Sequence, residues 1–267
     1  MDMNYATASY TTQNGTLQIG WCSDIGAREL QEDSYKITFH HDVLLATVCD
    51  GMGGIPCGDQ ASKVAIDYLH DKFESGQKRA ASFYSDTLDE LDAQVYFLKD
   101  DANRRLKAGT TIASVMVHDG KLDWFSVGDS RIYLFRGQEM VQVTRDHNYK
   151  ETLIDLLENG DITYEQFEGE RPKHPALTSF LGMGGIKRYE ISRTPLQLCD
   201  NDMLLITSDG LYNTFPPEEL SAESGSEISA VMEQIISRII SAQAQGRDNT
   251  TFIILKYRSN SGEEVTV

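Results

Sequence analysis

The pattern of apolar and polar residues predicts a protein built largely of β-strands. Short runs rich in β-branched and aromatic residues are bounded by glycine, asparagine and aspartate, as is typical of strands. The clearest run is VLLATVC at Val43–Cys49. The other predicted strands are 17–23, 34–39, 110–118, 122–127, Arg131–Arg136, 139–143, 188–194, Met203–Thr207 and 250–257. Short glycine turns between them, such as Asp119-Gly120, predict an antiparallel meander.

Apolar residues that recur at intervals of three and four predict helices at Gly58–Glu74, 82–107, 148–158 and 227–242. In the second of these, one apolar stripe runs from Leu88 to Leu106, the pattern of a helix packed on a core. The first two helices would cover one face of a sheet. Groups of strands that alternate with helices predict an α+β fold.

A single domain at 17–257 accounts for this pattern. Residues 1–16 are polar and show no period, so they predict a loose lead-in, and 258–267 predict a frayed end. Residues 144–185 are polar and irregular, and Pro172 and Pro175 bar regular structure from part of them. A long loop of this kind predicts a mobile flap beside a functional site. The alternative is a surface loop with no functional role.

Composition and charge narrow the classes of function. The chain has 267 residues, 40% of them hydrophobic, and no apolar run is long enough to span a membrane. The four cysteines show no metal-binding spacing and there is no secretory leader, which predicts a cytoplasmic protein. A net charge of −17 argues against nucleic acid or a membrane surface as a partner, and we expect a monomer.

Four aspartates stand at the ends of predicted strands. Asp50 and Asp209 each follow an apolar strand and precede a glycine, Asp129 follows strand 122–127, and Asp248 precedes the last strand. One such turn would be unremarkable, but the repetition indicates a shared site. A carboxylate at the end of a buried strand costs free energy unless it is hydrogen-bonded, ion-paired or bound to a metal.

Glu32 and Asp33 flank a further strand. Because adjacent strand residues face opposite sides, we expect that both cannot reach the site directly and that one acts through water. Arg28, a few residues before them, could bind an anion with its planar guanidinium group. From this segment alone, a solvated hairpin edge is the simpler interpretation.

Carboxylate ligands without histidine or cysteine indicate Mg²⁺ or Mn²⁺ rather than zinc. Two such ions about 3.5–4 Å apart would bridge a hydroxide and hold phosphoryl oxygens for in-line attack. The same ions would reverse the negative field of an acidic protein where an anionic substrate has to bind.

Six short motifs together resemble those of the metal-dependent protein phosphatases, the type 2C or PPM family. In chain order they are SDIG at 23–26 with Arg28 and QED at 31–33, DGMGG at 50–54, GTT at 109–111, GDSR at 128–131, SDG at 208–210 and RDN at 247–249. Each motif alone is weak, but six in the right order and spacing are a strong signal. The resemblance extends from about residue 18 to residue 257.

The resemblance implies a four-layer αββα sandwich, in which two antiparallel sheets pack face to face between helix pairs. It also implies a bacterial-type phosphatase whose Asp50 bridges two metal ions. The remaining implied roles are those of the Gly51 carbonyl, Asp209 and Asp248 as further metal ligands, Glu32 and Asp33 as holders of metal-bound waters, Asp129 as a ligand of a weaker third ion, and Arg28 as the phosphate-binding residue. Catalysis would rest on Arg28, Asp50 and Asp209.

Met52 departs from the pattern of eukaryotic members, which commonly carry a histidine there that is regarded as the general acid. A thioether cannot donate a proton. We interpret a water on the third ion as its replacement, and not Met52 as a sign of inactivity, because bacterial relatives often have the same DGMGG motif.

The predicted function is hydrolysis of phosphoserine and phosphothreonine in proteins, reversing a bacterial Ser/Thr kinase. A pseudophosphatase that binds phosphoproteins without hydrolysing them is the main alternative, although degenerate members usually lose the metal carboxylates and all are present here. A hydrolase of small phosphoesters or nucleic acid is a third possibility. The acidic composition and the lack of interleaved aromatic and basic residues count against nucleic acid.

Overall fold

A computed structural model describes residues 3–52, 57–76, 81–223, 227–242 and 247–260. The strands of this part are β1 (Met3–Thr11), β2 (Gly15–Asp24), β3 (Ser34–His40), β4 (Val43–Cys49), β5 (Ile112–His118), β6 (Lys121–Val127), β7 (Arg131–Arg136), β8 (Glu139–Gln142), β9 (Glu190–Ile191), β10 (Leu196–Gln197), β11 (Met203–Thr207) and β12 (Thr250–Ser259). Its helices are α1 (Gly58–Glu74), α2 (Ala81–Tyr96), α3 (Tyr149–Glu158), α4 (Tyr164–Gly169), α5 (Asp209–Thr214) and α6 (Ile228–Ser241), with short 3-10 turns at Arg171–Lys173 and Pro217–Glu223.

The strands form two antiparallel sheets. The first has the order β1-β2-β12-β11-β7-β8, and the second has the order β10-β6-β5-β4-β3 with β9 also paired to β6. The chain passes between the sheets at the β2–β3, β6–β7, β8–β9 and β10–β11 connections. These crossings bring ends of strands from both sheets together.

Alternating side chains of the central strands contribute to three cores, one between the sheets and one beneath the helices on each outer face. In β12, Ile253 and Leu255 pack between the sheets, while Phe252 and Ile254 face the outer helices. Both faces of this strand are therefore buried, which explains why its sequence is a continuous apolar run rather than an alternating one. The core between the sheets also contains Ala46 and residues of β2, β5, β7 and β11.

Helices cover the outer face of each sheet. α1 and α2 pack on the second sheet through residues such as Ala65, Leu69 and Leu91. α6 packs on the first sheet together with the short α5, through Ile235 and Leu211 among others. The predicted four-layer αββα sandwich and the α+β class are thus confirmed.

The prediction that 1–16 is a loose lead-in is wrong. β1 forms the edge of the first sheet and pairs with β2 over its whole length, from Met3 opposite Asp24 to Thr11 opposite Thr16. The Tyr10 ring stacks on Phe39 at a centroid distance of 3.8 Å. Most β1 side chains are exposed, so the strand has no apolar pattern by which the sequence could reveal it.

The helix predicted at 82–107 ends earlier, at Tyr96. The Asp100 carboxylate accepts hydrogen bonds from the backbone nitrogens of Ala102 and Arg104, at 3.0 and 2.9 Å. This local bonding favours a turn over a helix. Leu98 and Leu106 still pack against the helical core, which is why the apolar period continued past the true end of α2.

Smaller differences concern loops and chain ends. The strand predicted at 188–194 shortens to Glu190–Ile191, and Pro195 beyond it has no N–H to give to a neighbouring strand. The short elements β10, α4 and α5 were not predicted. Arg258 and Ser259 belong to β12 and not to a frayed end, while 261–267 lie outside the described residues.

Residues 144–185 contain α3, as predicted, and α4, whose N-cap Thr163 forms a capping box with Gln166. No described helix combines the length and the apolar character needed to cross a membrane.

Candidate active site

One cleft of about 500 Å³ opens where strand ends of the two sheets meet. Asp50 follows β4, Asp129 lies between β6 and β7, Asp209 begins α5 directly after β11, and Asp248 precedes β12. All four line the cleft, as predicted from their positions at strand ends. The cleft is also lined by Arg28, Glu32, Gly51, Met52, Thr111, Pro175, Ala176, Leu177 and Asn249.

Hydrogen bonds hold Asp50 at the end of its strand. Its carbonyl accepts from the Thr111 nitrogen at 2.8 Å and from the Thr110 hydroxyl at 2.8 Å. Its nitrogen donates to the Thr111 hydroxyl at 3.1 Å. The GTT motif therefore fixes the backbone of Asp50. The GTT motif was noted in the sequence, but no such role was predicted for its two threonines.

A glycine is required at position 51 because two other backbone segments approach it closely. A Cβ at this position would lie 2.3 Å from the carbonyl oxygen of Gly58 and 2.6 Å from that of Glu32. No side chain fits there, so the backbone after Asp50 can pass directly between the β2–β3 loop and the start of α1. Gly53 and Gly54 of the same motif lie outside the described residues.

Glu32 and Asp33 occupy different surroundings. The Glu32 side chain lines the cleft, whereas Asp33 is buried and accepts a hydrogen bond from the Ser208 hydroxyl at 2.8 Å. Asp33 is nevertheless near enough to Asp50 for its charge to raise the pKa of Asp50.

Asn249 ties the loop that carries Arg28 and Glu32 to the start of β12. Its side-chain nitrogen donates to the carbonyls of Ile25 and Leu30, at 2.9 and 3.0 Å, and its side-chain oxygen accepts from the Glu32 nitrogen at 2.8 Å. This residue was part of the RDN motif but had no assigned role. Its hydrogen bonds place the loop beside Asp248.

Arg28 reaches Asp248 across the cleft, with Nη2 2.7 Å from Oδ2. Of the described residues that line the cleft, Arg28 alone is basic. A guanidinium group in this position can bind a phosphate with two parallel hydrogen bonds.

A buried network behind Asp129 was not predicted. Arg131 forms a bidentate ion pair with Asp146, at 2.9 and 2.7 Å, and its guanidinium lies 3.7 Å from the centre of the Tyr212 ring. The Tyr212 hydroxyl in turn donates to the Asp129 carbonyl at 3.0 Å. Arg131, the arginine of the GDSR motif, was the available sequence signal for this network. Its partner Asp146 belongs to none of the six motifs.

Crowded carboxylates raise one another's pKa values in the cleft. Burial, and then the charges of neighbouring aspartates, hold the pKa of Asp50 well above its usual value. Burial and the charge of Asp248 raise the pKa of Asp209. Burial, followed by the charge of Asp209, raises the pKa of Asp129 to about 7. Such a site carries an excess of negative charge and favours any cation that can neutralise it.

The donor atoms of this site fit hard divalent cations. Every charged donor is a carboxylate, and no histidine or cysteine lines the cleft among the described residues. In the same part of the chain, no three acidic, histidine or cysteine side chains are arranged to hold one ion as they stand. Mg²⁺ commonly binds through one or two carboxylates and keeps several waters, so three converging side chains are not required.

Comparison with known proteins agrees with the fold. A family model described as protein phosphatase 2C matches residues 23–244. The serine/threonine phosphatase stp of Listeria innocua is 27% identical over 219 residues, which cover 79% of this chain and 84% of that protein. Protein phosphatase PhpP of Streptococcus pneumoniae is 25% identical over 254 residues, covering 92% of this chain and 100% of that protein.

The solved serine/threonine phosphatase of S. agalactiae has the same fold, with a TM-score of 0.72 and 23% identity over 95% of this chain and 98% of that one. The chain belongs to the protein phosphatase 2C family. Its predicted membership and its class, a phosphatase of proteins, are confirmed.

Proposed function

We propose that the protein hydrolyses phosphoserine and phosphothreonine in other proteins with the help of bound Mn²⁺ or Mg²⁺. The observation that carries this proposal is the cleft itself, in which carboxylates from the strand ends of both sheets converge and Arg28 is the one basic residue among the described lining residues. The named activities of the Listeria and Streptococcus relatives support the choice of serine and threonine phosphates.

The metal ligands that we propose are the Asp50 carboxylate, the Gly51 carbonyl, Asp209 and Asp248, with Asp129 at a weaker third position. Glu32 lines the cleft, and Asp33 lies buried behind Asp50, so each would contribute through water. When bound, such ions lower the pKa of water and neutralise phosphoryl oxygens during in-line displacement.

Arg28 would bind the substrate phosphate. Its one hydrogen bond to Asp248, from Nη2, leaves other N–H donors of the guanidinium group for a phosphate, and all five become available when Asp248 binds another partner. The ion pair is about half exposed, with 47% of the Arg28 side chain accessible, so its rupture costs little. Arg28 is thus available to a phosphate once the carboxylate of Asp248 is occupied otherwise.

We assign no protein side chain as the general acid that protonates the leaving group. Met52 lines the cleft, and its nitrogen donates to the Gly109 carbonyl at 3.0 Å. Its thioether has no proton to give. A solvent molecule in the cleft, ordered near Asp129, is the source of the proton that we propose.

We further propose a monomeric protein of the cytoplasm that reverses a cognate Ser/Thr kinase. The net charge of −17 supports phosphoprotein partners over nucleic acid or anionic membranes.

The substrate class is tested by phosphate release from three compounds in the presence of Mn²⁺: a phosphothreonine peptide, its phosphotyrosine counterpart and p-nitrophenyl phosphate. The proposal predicts that the phosphothreonine peptide is hydrolysed with a higher kcat/KM than the phosphotyrosine peptide. Tight binding of the phosphothreonine peptide without hydrolysis of any compound would instead favour a phosphoprotein-binding regulator.

A further inference from the structure

A second cavity, lined in part by His174 and Pro175, continues from the active-site cleft. It has a volume of about 270 Å³, and Asp129, Pro175 and Asp209 line both cavities. A peptide whose phosphate lies among the aspartates would therefore place neighbouring residues in this second cavity, which we call the side groove. The side groove is also lined by Lys150 and His174, which do not line the active-site cleft.

Two charges of the side groove, those of Arg131 and Asp146, compensate each other within the protein. Arg131 is also hydrogen-bonded to the Tyr133 hydroxyl and stacked on Tyr212. His174 donates through one ring nitrogen to the Phe167 carbonyl, 3.2 Å away. The Arg131 charge is thus already used within the protein.

Lys150 is different. Its side chain is exposed, and within the described part of the chain it forms no ion pair or side-chain hydrogen bond. Lys173, by contrast, lies 2.6 Å from Glu170. Of the two described residues with permanent positive charge that line the groove, Arg131 is paired with Asp146 and Lys150 has no charged partner.

The backbone of Lys150 is held firmly in relation to the cleft. Its nitrogen donates to the His174 carbonyl at 3.1 Å, and the Tyr149 nitrogen donates to the Ala176 carbonyl at 2.8 Å. The Glu151 nitrogen donates to the side chain of the N-cap Asn148. The first N–H groups of α3 are thus occupied, so that any anion here would be bound by the lysine side chain and not by the helix end.

We propose that Lys150 forms a specificity subsite that selects phosphoproteins with an acidic side chain close to the phosphorylated residue. This inference rests on the proposed function, because the phosphate has to lie in the cleft for its neighbours to reach the groove. Once cations neutralise Asp129 and Asp209, Lys150 is the remaining uncompensated charge of the groove, and a carboxylate of the substrate complements it.

The test uses phosphothreonine peptides with a neutral background, in which a single glutamate is moved through the three positions on each side of the phosphothreonine. The quantity measured is kcat/KM for each glutamate peptide divided by that for the alanine peptide, with Mn²⁺ at low ionic strength. Because this ratio is formed within one protein, general folding defects of a variant cancel.

We expect a ratio of about two to five at one or two positions for the unaltered protein, the range of an exposed ion pair. The ratio should fall to about one in Lys150→Ala, drop below one in Lys150→Glu and persist in Lys150→Arg. Raising the salt concentration to about 0.5 M should reduce it. Lys173→Ala is the matched control, since Lys173 is also basic and on this segment but does not line the groove, and it should keep the full ratio.

Ratios near one at every position, a ratio that survives Lys150→Ala, or a preference for lysine in place of glutamate would overturn the subsite while leaving the proposed phosphatase in place. Failure of the unaltered protein to release phosphate from any peptide would overturn both proposals.

Discussion

Arg28 Nη2 lies 2.7 Å from Asp248 Oδ2, and this contact joins the loop after β2 to the segment that leads into β12. The two side chains are 47% and 42% exposed. An ion pair so open to solvent contributes only about 0–1 kcal/mol to folding. The position of Arg28 in the cleft therefore matters for ligand binding more than for stability.

Replacement of Arg28 by alanine should lower kcat/KM for a phosphothreonine peptide by about 10- to 100-fold, since a charged hydrogen bond is worth about 1.5–3 kcal/mol. Arg28→Lys should recover only part of the loss, because an ammonium group cannot form the bidentate contact. Arg104→Ala, which removes an exposed pair with Asp100 outside the cleft, is the control. Equal activity of Arg28→Ala and Arg104→Ala would show that Arg28 does not bind the phosphate.

Isosteric replacement of Asp50 by asparagine should stabilise the metal-free protein. The carboxylate of Asp50 is buried among other aspartates, and its removal relieves both desolvation and repulsion. We expect a gain of about 1 kcal/mol or more in the free energy of unfolding, measured with urea in the presence of a chelator.

With excess Mn²⁺, the unaltered protein should instead be more stable than Asp50→Asn. The unaltered protein should gain about 2.7 kcal/mol at a metal concentration of 100 times Kd, and Asp50→Asn should gain far less. A variant that is less stable than the unaltered protein under chelation would contradict this view of Asp50.

Arg131 should be critical for stability, because Asp146 is only 6% exposed and would be left as an uncompensated buried charge. We expect Arg131→Ala to destabilise the fold by about 3–5 kcal/mol. Arg145→Ala, which removes exposed pairs with Glu151 and Asp155, should cost about 1 kcal/mol or less. Similar thermal unfolding temperatures for the two variants would argue that the Arg131 network does not support the fold.

His70 should make stability depend on pH. It lies on the buried face of α1, where its ring nitrogens contact the hydroxyls of Thr38 and Thr47. Burial, followed by the charge of Lys36, lowers its pKa from 6.5 to about 3. Above pH 6.5 the ring is neutral in both states and this contribution is complete. As the pH falls from 6.5 towards 3, the unfolded chain binds a proton that the folded protein rejects, so stability is lost.

The loss amounts to at most about 1.4 kcal/mol per pH unit. Urea titrations of the unaltered protein and of His70→Gln between pH 7 and pH 4 measure it. As the pH falls, the free energy of unfolding of His70→Gln should decline less steeply than that of the unaltered protein, by about that amount. Parallel plots of the free energy of unfolding against pH for the two proteins would show that His70 does not cause the pH dependence.

How much of the site the sequence predicts depends on whether a residue carries its own local signal. Asp50, Asp129, Asp209 and Asp248 could be found because each interrupts the chain where an apolar strand ends. Asp146 could not, since its partner Arg131 is 15 residues away and the pairing exists only after β7 and the start of α3 pack together.

The same reasoning applies to the fold. Strands buried on one or both faces, such as β4 and β12, were predicted to within two residues because burial leaves an apolar pattern. β1 was missed because it is an exposed edge strand, stabilised mainly by backbone pairing with β2. Backbone pairing imposes few demands on side chains, and it therefore leaves little trace in the sequence.

The most direct test of the central claim is phosphate release from a phosphothreonine peptide by the unaltered protein, Asp50→Asn and Asp209→Asn, each with Mn²⁺ and with a chelator. We predict release by the unaltered protein only when Mn²⁺ is present, and a loss of at least 100-fold in both variants. Release that persists in the chelator, or in either variant at the rate of the unaltered protein, would contradict a metal-dependent phosphatase built on these carboxylates.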